Sequence, residues 1–217
     1  MAGVITAIEP QNKRRDRVNV FVDDAFALSL SAIVAERAGL SVGSILDDQD
    51  LQRLAGEDTY QRAFDSALNF LSYRPRSERE VRQNLVKKRT DPNTVERVIA
   101  RLAELRLLDD KAFAQFWQEN RQRCSPRGPR AIKVELLRKG VQSEIIEEVL
   151  AGDVDQEQDA YCAAQKKLRS LQNLDYQTFR QRLGGHLLRR GFGYEVVATT
   201  IRRIWREMHG EQPEDEG

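Results

Sequence analysis

The sequence predicts a mainly α-helical protein, built from tandem three-helix repeats and preceded by a small antiparallel β module. The leading observation is an internal repeat. The blocks VRQNLVKKR, IKVELLRKG and LGGHLLRRG begin at Val81, Ile132 and Leu183, a constant spacing of 51 residues. In each block an aliphatic residue is followed four positions later by leucine, then by another aliphatic residue and two cations. Repeats of this length are typical of stacked supersecondary units, so we expect three units in an elongated, curved array.

Residues 1–46 differ from the rest of the chain and predict an antiparallel β meander with a short helix. β-branched and aromatic residues are enriched in three short segments. These segments are Val4–Glu9, Arg17–Val22 and Ala25–Ser31. Ser31 is a suitable N-cap for a short helix that ends at Gly39. Because three short strands are not stable alone, we expect this helix or the next, longer one to cover one face of the sheet.

Residues 47–109 predict the first helical repeat. The segment Asp58–Tyr73 places its apolar residues on one helical face. Ser77 and Glu80 form a capping-box pair at the start of the second helix, which carries the first of the repeated blocks. Asp91, followed by proline, is a typical N-cap for the third helix. Three helices in this order define one unit.

Two further repeats are predicted at residues 110–152 and 153–209. We expect Asp109 and Asp110 to act as the N-cap and first-turn acid of the helix that opens the second repeat. Ser143 is the expected N-cap of the last helix of the same repeat. No repeat can bury its apolar stripe alone, so neighbouring repeats must stack.

Composition indicates a soluble, cytoplasmic protein. The 217 residues carry a formal net charge of +1, 32% of them are charged, and the mean hydropathy is −0.61. No stretch approaches the roughly 20 apolar residues of a membrane span, and the N-terminus lacks the pattern of a signal peptide. The two cysteines do not form a CxxC pair, so we expect neither a disulfide nor a zinc site. The acidic residues 210–217 predict a disordered tail.

Motifs of the common enzyme classes are absent from the sequence. It contains no GxxxxGK[ST], GxGxxG, HExxH or GxSxG. His186 occupies the same block position as Asn84 and Glu135, on the more polar side of its helix, and we expect it to be a structural histidine. We therefore expect no catalytic residue, no metal site and no cofactor.

The distribution of cations is the informative polar feature. Lysine and arginine cluster on the block-bearing helices and the loops before them, while many of the acids lie elsewhere. Cations favour helix C-termini in any protein, but some of these lie in loops or at helix starts, where that explanation fails. If the repeats stack in register, the cations form a basic stripe that fits a phosphate backbone or an acidic protein groove; the alternative is a solvated face. The candidate contact residues are Arg74, Arg76, Arg79, Arg82, Lys88, Arg127, Arg130, Lys133, Arg138, Lys139, Arg189 and Arg190.

Four segments carry a family resemblance that covers nearly the whole chain. They are Leu71–Leu85, Leu105–Arg121, Pro126–Val141 and His186–Val197. Together they resemble the signatures of the RecX family, the bacterial regulators of the RecA recombinase. The N-terminal strands are similar to those of the longer family members. Arg89 departs from the pattern, since the first repeat of the family often has glycine there.

The resemblance implies a fold of tandem three-helix repeats and a protein without catalytic activity of its own. It also implies a function, which is to bind the RecA filament on single-stranded DNA and to suppress its ATPase, strand-exchange and co-protease activities. Such a protein is a negative regulator of homologous recombination, DNA repair and the SOS response. We expect it to act as a monomer.

The residues leave a second function open. A row of stacked helices with basic ends could bind DNA or RNA directly, without any recombinase. This alternative predicts affinity for bare nucleic acid with a steep dependence on salt concentration.

Overall fold

The structure is a computed structural model that describes residues 2–12, 14–152 and 155–210. Contacts between Cα atoms divide the chain into two compact units. The first unit comprises Met1–Arg74 and Val81–Leu108, and the second comprises Pro75–Glu80 and Asp109–Gly217. The predicted acidic tail, apart from Gly210, lies outside the described residues.

The N-terminal module is a four-stranded antiparallel sheet with one short helix. The strands are β1 (Gly3–Gln11), β2 (Arg14–Val22), β3 (Ala25–Ser31) and β4 (Ile45–Leu46), and the helix is α1 (Ala32–Arg37). The strand order is β3-β2-β1-β4. The predicted meander is therefore present, and β4 extends it by pairing with β1. Two residues without apolar alternation gave no sequence signal for this strand.

The rest of the described chain is helical. The helices are α2 (Asp48–Ser72), α3 (Glu78–Lys87), α4 (Pro92–Glu104), α5 (Asp110–Cys124), α6 (Pro129–Arg138), α7 (Ser143–Leu150), α8 (Gln156–Leu168), α9 (Tyr176–Arg189) and α10 (Tyr194–His209). Helix α2 begins at Asp48, next to the predicted start of the first repeat at residue 47, and a capping box between Asp47 and Asp50 caps it.

A buried ion pair fixes α2 against the sheet. Asp58 on α2 accepts hydrogen bonds from Arg17 of β2, at 3.0 and 3.2 Å, and from the backbone N–H of Ser31 at 2.6 Å. Both α1 and α2 pack on the sheet, so the two expected covering elements act together. The carboxylate accepts hydrogen bonds from an arginine and from a backbone N–H. A buried charge is tolerated when it is paired and hydrogen-bonded in this way.

Three separate apolar cores confirm the prediction of three helical repeats. The block residues Val81, Leu85, Ile132, Leu136, Leu183 and Leu187 are all buried. The first pair lies in a core with α2 and α4, the second with α5 and α7, and the third with α8 and α10. The helix that bears the block is thus the second of three helices in every repeat.

Most of the predicted helix caps are confirmed. Asp91 accepts from the N–H of Thr94, and Asp109 accepts from two N–H groups of the first turn of α5. The prediction for Ser143 is wrong, because Gln142 is the N-cap of α7 and makes no side-chain cap hydrogen bond. Ser31 is the N-cap of α1 as expected, but its hydroxyl does not bond the helix.

Candidate interaction surface

The block-bearing helices α3, α6 and α9 all end in the same backbone conformation. The residue after the two cations has a positive φ in every repeat, at Arg89 (60°), Gly140 (86°) and Gly191 (88°). The N–H of the residue that follows bonds the carbonyl of the third-last residue of the helix, from Thr90 to Leu85, from Val141 to Leu136 and from Phe192 to Leu187. This left-handed helix end satisfies carbonyls that would otherwise lack donors.

The end of α6 is covered by the segment that precedes and starts α3, and both lie in the second unit. The hydroxyl of Ser77 donates to the carbonyl oxygen of Lys139 at 2.7 Å. The ammonium of Lys139 pairs with the carboxylate of Glu80 at 2.5 Å, and the two side chains are 28% and 14% exposed. Ser77 also accepts from the N–H of Glu80, as a cap does. The predicted capping residues therefore also bind the next repeat.

The same contact recurs 51 residues later. The backbone N–H of Gly128 donates to the carbonyl oxygen of Arg190 at 2.9 Å. The guanidinium of Arg190 donates to the carbonyl of Pro126 at 3.1 Å and to the hydroxyl of Ser125 at 3.4 Å. Lys139 and Arg190 are the second cations of their blocks, and their contacts connect neighbouring repeats. The first cations, Arg138 and Arg189, are exposed.

A cluster around Trp117 organises the cations of the second repeat. The carboxylate of Glu135 accepts from the indole N–H of Trp117 and from Arg121, both at 2.7 Å, and pairs with Arg127 at 2.9 Å. Arg121 and Lys139 also lie over the indole ring, 4.7 and 4.9 Å from its centroid. Arg127 was expected to be an exposed loop cation, but this half-buried carboxylate holds it.

Other predicted contact residues are also engaged within the protein. Arg82 pairs with Glu96, Lys133 pairs with Glu147 at 2.8 Å, and Lys88 donates to the hydroxyl of Ser66. Arg74 and Arg76 are half-buried and interact with other residues. Within the described ranges, the candidates that are exposed and form no ion pair are Lys88, Arg79, Arg130, Arg138 and Arg189.

His186 is half-buried in the third repeat. Burial and the positive charges of Arg190, Arg189 and Lys167 lower the pKa of the imidazole. A hydrogen bond to the backbone of Ala163 raises this pKa and opposes the shift. The surroundings of the ring thus disfavour its protonated form. Its Nε2 atom is buried without a hydrogen-bond partner.

The described residues show neither a candidate metal site nor a disulfide. They contain no group of three or more His, Cys, Asp or Glu side chains that could hold a metal ion, and both cysteines are exposed and unpaired. The described helices include none long and apolar enough to cross a membrane.

The candidate contact residues include Lys88 but leave out two cations that share a cavity with it. Arg62 and Arg89 line this cavity of about 390 Å³ in the first unit. The available signal was the residue at position 89, where the other two blocks have glycine. Arg62 gave no signal, because an exposed arginine within a helix is ordinary.

These features define a helical-repeat protein with basic helix ends, and the comparisons with known proteins agree. The family model "Regulatory protein RecX N-terminal domain" matches residues 3–47. The models for the first, second and third three-helix domains of RecX match residues 63–102, 109–150 and 155–201. Four models in chain order account for most of the sequence.

Relatives and solved structures give the same result. The chain is 35% identical to "Regulatory protein RecX" of Bacillus velezensis, over 95% of this chain and 80% of that protein, and 31% identical to that of Clostridium botulinum (strain Alaska E43), over 91% and 94%. A crystal structure of "regulatory protein RecX" superposes with a TM-score of 0.76 at 26% identity, covering 91% of this chain and 98% of that one. RecX from Lactobacillus salivarius gives 0.62 at 27% identity, covering 68% and 97%. The chain belongs to the RecX family.

Proposed function

We propose that this chain is a negative regulator of homologous recombination and the SOS response. It binds the filament that RecA forms on single-stranded DNA and inhibits the ATPase, strand-exchange and co-protease activities of that filament. The observation that carries the proposal is family membership along the whole chain, through the β module and all three helical repeats. The relatives are named regulatory proteins, and we propose that this chain has no catalytic activity, no cofactor and a cytoplasmic site of action as a monomer.

The contact face of this proposal consists of cations that the protein does not use for its own stability. Arg130 and Arg138 are exposed on α6, and Arg189 is exposed at the equivalent end of α9. Since each exposed cation contributes little alone, affinity arises from many weak contacts made together along a polymer. Arg127, Lys139 and Arg190 act indirectly, because they shape the repeats that present the exposed cations.

The decisive experiment follows ATP hydrolysis by RecA on single-stranded DNA as the purified chain is added. Inhibition at or below equimolar protein is expected. A variant with Arg130→Glu and Arg138→Glu should inhibit less while keeping its fold, because exposed charges usually change stability by less than about 0.5 kcal/mol. A matched control is the double change Arg106→Glu and Arg206→Glu, because both side chains are exposed, lie outside the predicted contact set and form no ion pair with a described residue. Hydrolysis unaffected by excess wild-type protein would refute the proposal.

Direct binding to nucleic acid is the second candidate function, and the same exposed cations favour it. It requires measurable affinity for a bare oligonucleotide in the absence of RecA, falling steeply as salt increases. Undetectable or salt-insensitive binding removes this candidate and leaves the filament proposal intact.

A further inference from the structure

We propose that the cavity at the end of α3 is a phosphate-binding site, built where the other two repeats receive a neighbouring segment. Its lining joins three cations and three hydroxyl groups and contains no carboxylate. The residues are Thr59, Arg62, Ala63, Ser66, Lys88, Arg89 and Thr90. Arginine, lysine and hydroxyl groups all donate hydrogen bonds, and the unprotonated oxygens of a phosphate group are strong acceptors. The composition of the cavity thus matches a phosphate group of a nucleic-acid strand or a free phosphate.

The position of the cavity follows from the 51-residue repeat. Lys88 is equivalent to Lys139 and Arg190, whose carbonyls and side chains are engaged by another segment of the chain. Lys139 and Arg190 are half-buried as a result, whereas Lys88 and Arg89 are exposed. In the described structure, the end of α3 therefore has the same backbone as the two covered ends but lies open.

Arg89 is the residue that makes this end different. A Cβ atom at Gly191 would lie 2.4 Å from the backbone nitrogen of Ala131, and one at Gly140 would lie 2.6 Å from the side chain of Arg79. Glycine is thus needed wherever a segment docks closely. Arg89 carries a Cβ atom at the equivalent position, so this end cannot accept a repeat in the same way.

Arg89 adopts a left-handed backbone conformation although it carries a side chain. Its φ of 60° is unfavourable for any residue with a side chain, and the equivalent residues relieve that strain by being glycine. The strain at Arg89 places a guanidinium at the cavity instead of relieving the backbone.

The cations of the cavity also lack anionic partners. Among the described residues, Arg62, Lys88 and Arg89 form no ion pair, and Lys88 donates only to the neutral hydroxyl of Ser66 at 2.5 Å. By contrast, Arg97 on α4 pairs with Glu57 on α2 at 2.9 Å. Like charges that converge in a concave surface repel each other, and a bound anion offsets that repulsion.

The test compares Arg89→Gly with Arg106→Gly in the full-length chain. Arg106 is also an exposed arginine with a positive φ, 54°, and it lies outside the cavity lining. Each change removes one positive charge and one strained side chain, so these effects cancel in the comparison. Arg62→Gln provides a second cavity variant without any change at a strained backbone position.

Two probes distinguish the source of the phosphate, and neither contains RecA, so the outcome is independent of the proposed function. The first is the rise in melting temperature with sodium phosphate relative to sodium chloride at equal ionic strength and pH. The second is the affinity for a single-stranded oligonucleotide as a function of salt. We expect the wild type and Arg106→Gly to respond alike, and Arg89→Gly and Arg62→Gln to lose most of the response.

Each result has a defined meaning. A response to sodium phosphate that is lost in the cavity variants identifies a site for free phosphate. A weaker oligonucleotide affinity, with a salt slope reduced by about 0.7 for each lost phosphate contact, identifies a strand phosphate. If Arg89→Gly and Arg106→Gly cannot be told apart with either probe, the cavity is not a phosphate site.

Discussion

Replacing Gly191 by alanine tests the joint between the second and third repeats. A Cβ atom there would lie 2.4 Å from the backbone nitrogen of Ala131, which cannot swing away as a side chain would. Such overpacking costs about 1–3 kcal/mol, and a side chain at the positive φ of 88° costs about 1–2 kcal/mol more. Alanine also restricts the unfolded chain more than glycine does, which offsets about 0.4–1 kcal/mol of this cost. We expect Gly191→Ala to lower the free energy of unfolding of the second unit by about 2–4 kcal/mol.

Two further glycines separate the packing cost from the conformational cost. Gly128 has an ordinary φ of −71°, but its Cβ would lie 2.3 Å from the carbonyl oxygen of Gly191, so Gly128→Ala measures packing alone. Gly210 has a positive φ of 74° and no described atom within 4 Å of its Cβ, so Gly210→Ala measures conformation alone. We expect losses of about 1–2 kcal/mol for Gly128→Ala and at most about 1 kcal/mol for Gly210→Ala.

The assay is urea-induced unfolding followed by tryptophan fluorescence. Both tryptophans, Trp117 and Trp205, lie in the second unit, so the signal reports on the unit that contains all three glycines. A Gly191→Ala variant as stable as Gly210→Ala would refute the reasoning, because the close backbone approach would then contribute nothing.

Three further changes test the side-chain clusters. Trp117→Ala removes a ring packed on the core of the second repeat and should lower the free energy of unfolding by about 3–5 kcal/mol. The fluorescence of the remaining tryptophan reports the unfolding, and a loss below about 1 kcal/mol would contradict this packing. Glu135→Gln deprives two arginines of their carboxylate and should cost about 1–3 kcal/mol. Glu147→Gln, which breaks an exposed pair with Lys133, should cost less, and equal effects of the two changes would argue against the cluster. Burial raises the pKa of Asp110, while a hydrogen bond from the N–H of Glu78 opposes the shift, so the native state holds this proton more tightly than the unfolded chain. The stability that Asp110 contributes is therefore lost as the pH rises through its pKa in the unfolded chain and then through its pKa in the native state. In that pH range, the free energy of unfolding of the wild type should fall relative to that of Asp110→Asn. Parallel profiles of this free energy against pH would contradict the burial of Asp110.

The fold was predictable because the signals that determine it are local and repeated. Each block places an aliphatic residue and a leucine four positions apart, which puts both on one helical face, and all six of these residues are buried. Caps such as Asp91 and Asp109 act within three residues and were also predictable. Strand β4 is two residues long and pairs with a distant strand, so nothing local marks it.

The roles of individual cations were harder to predict, because they depend on contacts between segments far apart in sequence. Lys139 and Arg190 follow the same pattern as exposed basic residues, yet their partners lie about 60 positions away. Arg127 lies in a loop but pairs with Glu135 on the following helix. Charge patterning thus located the basic helix ends but did not separate the cations that join repeats from those that face solvent.

The measurement that tests the central proposal most directly is the rate of ATP hydrolysis by RecA on single-stranded DNA, titrated with this chain. We expect the rate to fall as the chain approaches equimolar concentration, and the Arg130→Glu, Arg138→Glu double variant to need a higher concentration for the same effect. A rate that stays constant with the wild-type chain in excess would contradict a regulator of the RecA filament.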